Sequence, residues 1–493
     1  MARSASQNIG LVTGLVLAIG LQFVPLPENL SREAWLLASL ALLMATWWAT
    51  EAIPIAATAL VPLALFPLMG IQTIGATASP YASPIVMLLL GGFIIAMAVE
   101  RWNLHTRIAL NVVSIFGGRP AFLVGGFMTA SALLSMWISN TATTIMMIPI
   151  ALRVAQEVGK EGHASKDFPV ALALGVAFAA SVGGVGVFVG TPTNLIAIGF
   201  VEREFGRTID PVTWSMIGLP AVILFLPLMW FILTRWAFKL TSKVDSAAAR
   251  RIVRDELATL GRTTRPEKRV AMLFGVVAAL WMGQAYLWNP LLGWIGTSLD
   301  LPVTLSVSNT QIAMLGALFA FLIPAGAAGA EKGRMLLVWE DTARLPWNVI
   351  VLFGGGLSLA AALTATGLAD WLGGRMSFLA DYPAPLVIFA LVLLVIFLTE
   401  LTSNVATVSS FLPVLAAMAA GAGFPAERLI VPVAIAASFA FMLPVATAPN
   451  AIVYASGATT QGQMMKAGLR LNLVGAVVIA GLGALLGPVV FPG

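Results

Sequence analysis

A six-residue pattern occurs twice in this chain, as S-N-T-A-T-T from Ser139 to Thr144 and as S-N-V-A-T-V from Ser403 to Val408, 264 positions apart. Each copy interrupts a long apolar stretch. Hydroxyls and an amide at such a turn can donate to a carboxylate, while backbone carbonyls of the same turn can coordinate a hard cation through oxygen. Polar groups and unwound backbone at bilayer depth are tolerated only beside protein or a polar cavity. A single Ser-Asn-Thr reads equally as a helix cap or an interhelical hydrogen bond. A pair does not, because other features repeat with it. Pro149 matches Pro413 at the same offset, G-T-P-T-N-L-I-A-I from Gly190 returns 256 positions later as A-T-A-P-N-A-I-V-Y from Ala446, and Gly91-Gly92 match Gly354-Gly355 at 263. Three matches in one order mark an internal repeat.

The elements that must position these groups are membrane spans. Of 493 residues 59% are apolar and 10% charged, against roughly 25% charged in soluble domains. Apolar runs predict spans near 9–27, 34–50, 53–70, 83–100, 168–201, 213–234, 270–289, 309–325, 347–366, 429–457 and 467–491. The stretches 120–152 and 384–420 are interrupted in their middles and read as re-entrant hairpins. With the N-terminus in the cytoplasm, 22 of the 27 Lys and Arg fall inside, leaving Arg32, Arg203, Arg207, Arg375 and Arg428 outside. The positive-inside rule selects this orientation, and the basic pI is then topological, with no nucleic-acid face. The first apolar run lacks a small-x-small cleavage site before Pro25 and is read as a spanning helix.

An odd number of crossings separates the two copies, which makes this an inverted-topology repeat with a site near the midplane. The expected fold is an all-α polytopic membrane protein with two re-entrant hairpins and two unwound transmembrane helices, of the elevator type. The organisation is an N-terminal helix (1–33), scaffold helices (34–82), a transport half (83–212, hairpin 120–157), a linking helix with a basic amphipathic segment (213–269), second scaffold helices (270–346), a second transport half (347–457, hairpin 384–420) and a C-terminal helix (458–493). The amphipathic segment, 235–269, is expected on the cytoplasmic surface near anionic lipid or as a solvated linker. Few charges line the spans, so a rigid unit could slide without exposing many.

Zero Cys removes disulfides, thiolate metal sites and Cys nucleophiles, and with His105 and His163 the only histidines, both expected in solvated loops, an intramembrane hydrolase lacks a nucleophile and base. Trp47, Trp48, Trp102 and Trp347 sit near span ends and read as interfacial anchors. Glu400, beside the second tip, is either a cation partner or proton carrier, or a hydrogen bond that steadies the hairpin. Glu51 lies in an apolar region without a motif.

These motifs, with S-F-A-F-M-L-P-V-A-T from Ser438, resemble the divalent anion/sodium symporter family from about residue 34 to 491. The resemblance implies two sodium ions held by the hairpins and unwound helices. Carried over by motif, one site falls on Ser135, Ser139, Asn140 and Gly190, and the other on Thr399, Thr402, Asn404 and Ala446. Substrate contacts fall on Ser139, Asn140, Thr141, Thr191, Ser403, Asn404 and Thr447. It also implies a homodimer, in a bacterial inner membrane, whose transport domains move as elevators. Val405 and Ala448 depart from the family pattern, where Thr and Pro are frequent. Some relatives exchange dicarboxylates without sodium, but no Lys or Arg stands at the cation positions here, so symport of a succinate-, malate-, fumarate- or citrate-class anion is expected over exchange.

Overall fold

Helix ends in this chain fall where Pro, Gly or a capping side chain dictates. The computed structural model describes residues 4–160, 165–240, 246–300, 302, 305–375, 378, 381–422 and 425–492, and among these no strand forms beyond an isolated bridge between Pro324 and Met335. Arg3, His163 and Lys243 lie outside the described residues. Among the described residues five helices are long and apolar enough to cross a membrane: Ile74–Arg101, Pro211–Ala237, Arg265–Ser298, Trp347–Ala365 and Gln461–Val490. Ala5–Leu21, Arg32–Thr50 and Asn309–Leu322 account for three more of the expected spans as shorter or more polar helices. The span expected at 53–70 is instead the pieces Ile55–Thr58 and Val61–Leu65. Pro54, Pro62 and Pro67 explain this, each removing a backbone donor.

Each interrupted stretch folds as a helical hairpin. Pro120–Ser135 turns back into Asn140–Lys160, and Ala384–Thr399 into Asn404–Ala422. Each first arm has 16 residues, about 24 Å of helix, short of the roughly 30 Å hydrocarbon core. The second arms carry Pro149 and Pro413 inside the helix. Behind each hairpin runs a broken helix, Phe168–Gly183 with Pro192–Phe205, and Glu427–Ala436 with Ala448–Ala455. Phe168–Gly183 packs on both arms of the first hairpin, and Glu427–Ala436 on both arms of the second.

The glycine pairs cross-link the two halves. A Cβ on Gly91 would lie 2.8 Å from the Ala313 backbone, and one on Gly355 would lie 2.4 Å from Ala59 O. Pro84–Arg101 is therefore seated on Asn309–Leu322, and Trp347–Ala365 on the segment 55–82.

Three surface expectations are corrected. His105 is buried at 8% exposure on the helix Leu104–Ile115, its Nδ1 3.3 Å from Val99 O, because 101–119 is not a solvated loop. Trp48 is a core residue at 1% exposure that donates to Ile55 O, whereas Trp347 remains exposed. The basic segment forms Ala247–Thr259, whose apolar face of Ala248, Ala249, Ile252 and Val253 is covered by Leu104–Ile115 and Asn140–Lys160 rather than by lipid.

Arg101–Glu331, Arg107–Glu267, Arg153–Glu256 and Arg334–Asp341 join charges of one expected face, and Arg207–Glu427 joins charges of the other. Burial alone would raise the Asp341 pKa, but the Val338 N–H and the Arg334 guanidinium, with Arg101 adjacent, hold it below the usual Asp range. A carboxyl depressed on folding stabilises above its unfolded pKa, about 3.9, and loses that contribution as pH falls through its folded value. The melting temperature of Asp341→Asn in detergent is expected below wild type at pH 7, with the gap narrowing as the pH falls through and below the Asp range. A gap constant down to that range would refute the ion-pair assignment.

Candidate functional site

The two tips and the two helix breaks line one cavity of about 1220 Å³. Its lining also includes Arg101, Asp341 and Arg344. Of the twelve residues carried over by motif, Ser139, Asn140, Thr141, Gly190, Thr191, Thr402, Ser403, Asn404, Ala446 and Thr447 line it. Ser135 and Thr399 do not; they are fully buried behind the tips.

Those two residues reveal how each tip is held. Ser135 Oγ donates to Asn140 Oδ1, and Thr399 Oγ1 lies 2.7 Å from Asn404 Oδ1 and 3.0 Å from Ala437 O. In both copies a hydroxyl five residues upstream orients the tip amide. The breaks are braced alike. Asn194 Nδ2 donates to Gly184 O (3.0 Å) and Val187 O (2.8 Å), and Asn450 Nδ2 donates to Ala440 O and Leu443 O (both 3.0 Å). The partners lie ten and seven residues upstream each time, so the Asn at each break is a clamp that keeps the chain unwound. Sequence comparison paired these asparagines without exposing that role. Its only trace was the shared offset.

Oxygen atoms converge where the first tip meets the first break. A Cβ on Gly184 would stand 2.9 Å from Asn140 Oδ1 and 3.2 Å from Gly190 O, and one on Gly190 would stand 2.3 Å from Gly184 O and 3.0 Å from Met136 O. Glycine is required here by close backbone approach, and the result is a cluster of neutral oxygens suited to a hard cation. Among the described residues no group of three or more His, Cys, Asp or Glu forms a metal site.

Helix ends separate the two kinds of charge. Pro120–Ser135, Phe168–Gly183, Ala384–Thr399 and Glu427–Ala436 end near the tips and breaks, presenting carbonyls. Asn140–Lys160, Pro192–Phe205, Asn404–Ala422 and Ala448–Ala455 begin there, presenting amides and positive dipole ends. Thr447 Oγ1 caps the last of these by accepting from Asn450 N at 3.2 Å, and Ser139 Oγ accepts from Ala142 N at 3.2 Å. One cavity can thus hold an anion on amides and hydroxyls while carbonyls hold cations beside it.

Val405 occupies on the second tip the place of Thr141 on the first, so that position contributes a methyl surface instead of a hydroxyl. Glu51 also lines the cavity, in the left-handed region with φ 48° at the end of Arg32–Thr50. Four N–H groups surround the Glu400 carboxylate.

Asn140→Ala and Asn404→Ala each delete an amide from a tip; the first also leaves Ser135 without its acceptor, whereas Thr399 keeps Ala437 O. Each should cost on the order of 1–3 kcal/mol of ligand binding, about tenfold or more. Calorimetric or fluorescence titration of folded variants measures this; unchanged affinities would make both asparagines mere caps.

Paired hairpins and broken helices surround one cavity in a chain of apolar helices, an architecture that suits a membrane transporter. A family model described as the sodium:sulfate symporter transmembrane region matches residues 5–492, and the chain belongs to that family. It is 38% identical over 484 residues to the sodium-dependent dicarboxylate transporter SdcS of Staphylococcus saprophyticus, covering 96% of this chain and 91% of that protein. It is also 38% identical to SdcS of Staphylococcus aureus, over 97% of this chain and 90% of the relative. Among solved structures, MtrF of Neisseria gonorrhoeae has the same fold, with TM-score 0.58 and 14% identity over 96% of this chain and 97% of that one. The YdaH transporter of Alcanivorax borkumensis matches with TM-score 0.58 and 15% identity over 94% and 99%.

Proposed function

We propose that this chain is a sodium-coupled symporter of di- or tricarboxylates, working by an elevator mechanism. The observation that carries the reading is the pairing of carbonyl-bearing helix ends with amide-bearing helix starts at two tips around one cavity. Sodium fits the neutral oxygens gathered by Ser135, Asn140, Gly184 and Gly190, and a second set formed by Thr399, Thr402, Asn404 and Ala446 repeats the pattern. A dicarboxylate fits the hydroxyls and amides of Ser139, Thr141, Thr191, Ser403 and Thr447, and the SdcS relatives support that substrate class. The cavity's arginines, Arg101 and Arg344, stand at its outer part and not at the tips. The dianion is therefore neutralised at the site by cations it arrives with, which favours symport over sodium-independent exchange. More than one sodium per dianion also lets an inside-negative potential assist entry.

The inverted repeat accounts for two hairpins whose tips converge from opposite faces. With the N-terminus cytoplasmic, in a bacterial plasma membrane, the cavity opens inward, towards Arg101 and Arg344. The first hairpin is held by Ala247–Thr259 on its second arm and by Phe168–Gly183 on both, so opening it alone would break extensive packing. Movement of the whole site avoids that cost. Of the transport halves expected at 83–212 and 347–457, Pro84–Arg101 and Trp347–Ala365 are better assigned to the fixed side, because their glycines are seated against the scaffold backbone. A fixed scaffold of this kind is the natural surface for a two-fold dimer.

The test is uptake of labelled succinate into proteoliposomes. Uptake is expected to require external sodium and to rise with an inside-negative potential. Uptake indifferent to replacing sodium with choline, yet dependent on internal dicarboxylate, would replace symport with exchange.

A further inference from the structure

The two breaks look alike from their carbonyl side and differ on their N–H side. In the first, the counterparts of Phe441 and Met442 bond within their own loop: Val185 N donates to Val182 O at 3.2 Å and Gly186 N to Gly183 O at 3.0 Å. In the second, Phe441 N (2.7 Å) and Met442 N (2.9 Å) donate to Glu400 Oε1, and Leu443 N donates to Glu400 Oε2 (2.9 Å). Three successive amides make a nest for an anion, and here the anion is a side chain of the neighbouring hairpin. Glu400 is 3% exposed, and Asn472 Nδ2 of the C-terminal helix also donates to its Oε1, at 2.7 Å. The position that corresponds to Glu400 in the first copy is Met136.

We propose that Glu400 is the positioning residue of the second cation site, holding its loop from the N–H side while Asn450 holds it from the carbonyl side. The proposal rests on the reading of that site given above. The stretch Ala440 to Leu443 is pinned by Asn450 at its carbonyls and by Glu400 at its amides, and Leu443 O then accepts from Ala446 N at 3.2 Å. Ala437 O, at the start of the same loop, accepts from Thr399 Oγ1. The carbonyls available to a cation therefore take their directions from a loop whose other edge is set by the carboxylate. Four N–H donors already occupy the carboxylate, three on Oε1 and one on Oε2.

The C-terminal helix, outside both repeat copies, is part of this device. A Cβ on Gly468 would lie 2.1 Å from Phe441 O and 2.6 Å from Met442 N, so the helix presses directly on the loop. Asn472 follows one turn later on the same helix face. The first break has no such carboxylate, and the two cation sites are accordingly unequal.

The experiment compares sodium activation of labelled succinate uptake in proteoliposomes for wild type, Glu400→Gln and Asn472→Ala, each normalised to folded protein. Glu400→Gln turns an acceptor into an amide that faces N–H groups. Its half-saturating sodium concentration should rise about tenfold, the size of one charge-assisted bond, and the activation curve should become less steep. KM for succinate at saturating sodium should stay within about threefold, because the donors on Glu400 are Phe441, Met442, Leu443 and Asn472 and none of the substrate-binding hydroxyls. If Glu400→Gln does not fold, Asn472→Ala keeps the carboxylate and removes one donor, and a smaller shift in the same direction is expected. A sodium curve superimposed on wild type in the folded variants, or sodium and succinate affinities falling together, overturns the proposal while leaving symport intact. Wild-type uptake indifferent to sodium would instead overturn the function on which it rests.

Discussion

Gly190→Ala should abolish sodium-dependent uptake. The added Cβ would stand 2.3 Å from the backbone oxygen of Gly184 and 3.0 Å from that of Met136, and neither is a flexible side chain that can turn away. One of three backbones must move: the start of Pro192–Phe205, the end of Phe168–Gly183, or the first hairpin tip. Overpacking of this kind costs typically 1–3 kcal/mol in stability. The functional loss should be larger than that figure implies, because the displaced atoms are the oxygens proposed to hold a cation. Gly70→Ala, at a glycine with no atom within 4 Å of its missing Cβ but a φ of 71°, supplies a control for backbone strain without crowding. Size-exclusion profiles report the folded fraction and proteoliposome uptake reports transport. Full activity in Gly190→Ala would mean that the break is loosely packed and that the oxygen cluster is not a site.

Tying the site to the scaffold should stop turnover outright. Trp137 in the first tip meets Phe274 edge-on at 4.8 Å between ring centroids, and Phe188 in the first break meets Trp281 at 5.1 Å, both partners lying on Arg265–Gly283. These aromatic contacts are the surface across which an elevator would slide. The native chain has no cysteine, so Phe188→Cys with Trp281→Cys can be bridged without background. Completed bridging by a short bis-maleimide should arrest uptake, with recovery in the unbridged double variant. A second pair, Ser83→Cys with Thr310→Cys, joins helices already in contact where Thr310 Oγ1 donates to Pro84 O at 2.9 Å. Bridging that pair should leave transport intact if both helices belong to the fixed side. Continued turnover with the first bridge complete would rule the elevator out, and arrest by the second alone would return Pro84–Arg101 to the moving unit.

The amino-acid sequence by itself determined the class of molecule, the two hairpins, the two breaks and the residues facing one another across the cavity. The reason is that polar groups in apolar runs are costly. Ser139 to Thr144 and Ser403 to Val408 stand out for that reason, and their recurrence at a common offset needs no coordinates to be seen. Helix stops at Ser135 and Thr399 follow from the same tips. What depends on distant partners was not legible. His105 read as solvated and Trp48 as an interfacial anchor until packing enclosed them, and the basic segment read as an amphipathic helix near anionic lipid or a solvated linker until its apolar face met Leu104–Ile115 and the first hairpin. The two short helices into which prolines break 53–70 preserved the hydropathy of a span while losing its continuous helix. Glu400 shows the limit most clearly. Its type and position allowed a ligand, a proton carrier or a brace. Only the tertiary fold, by bringing three amides from residues 41 to 43 positions away and Asn472 from another helix onto one carboxylate, selected the brace. Local sequence carries the cost of a buried charge, but the groups that offset that cost are assembled by the fold.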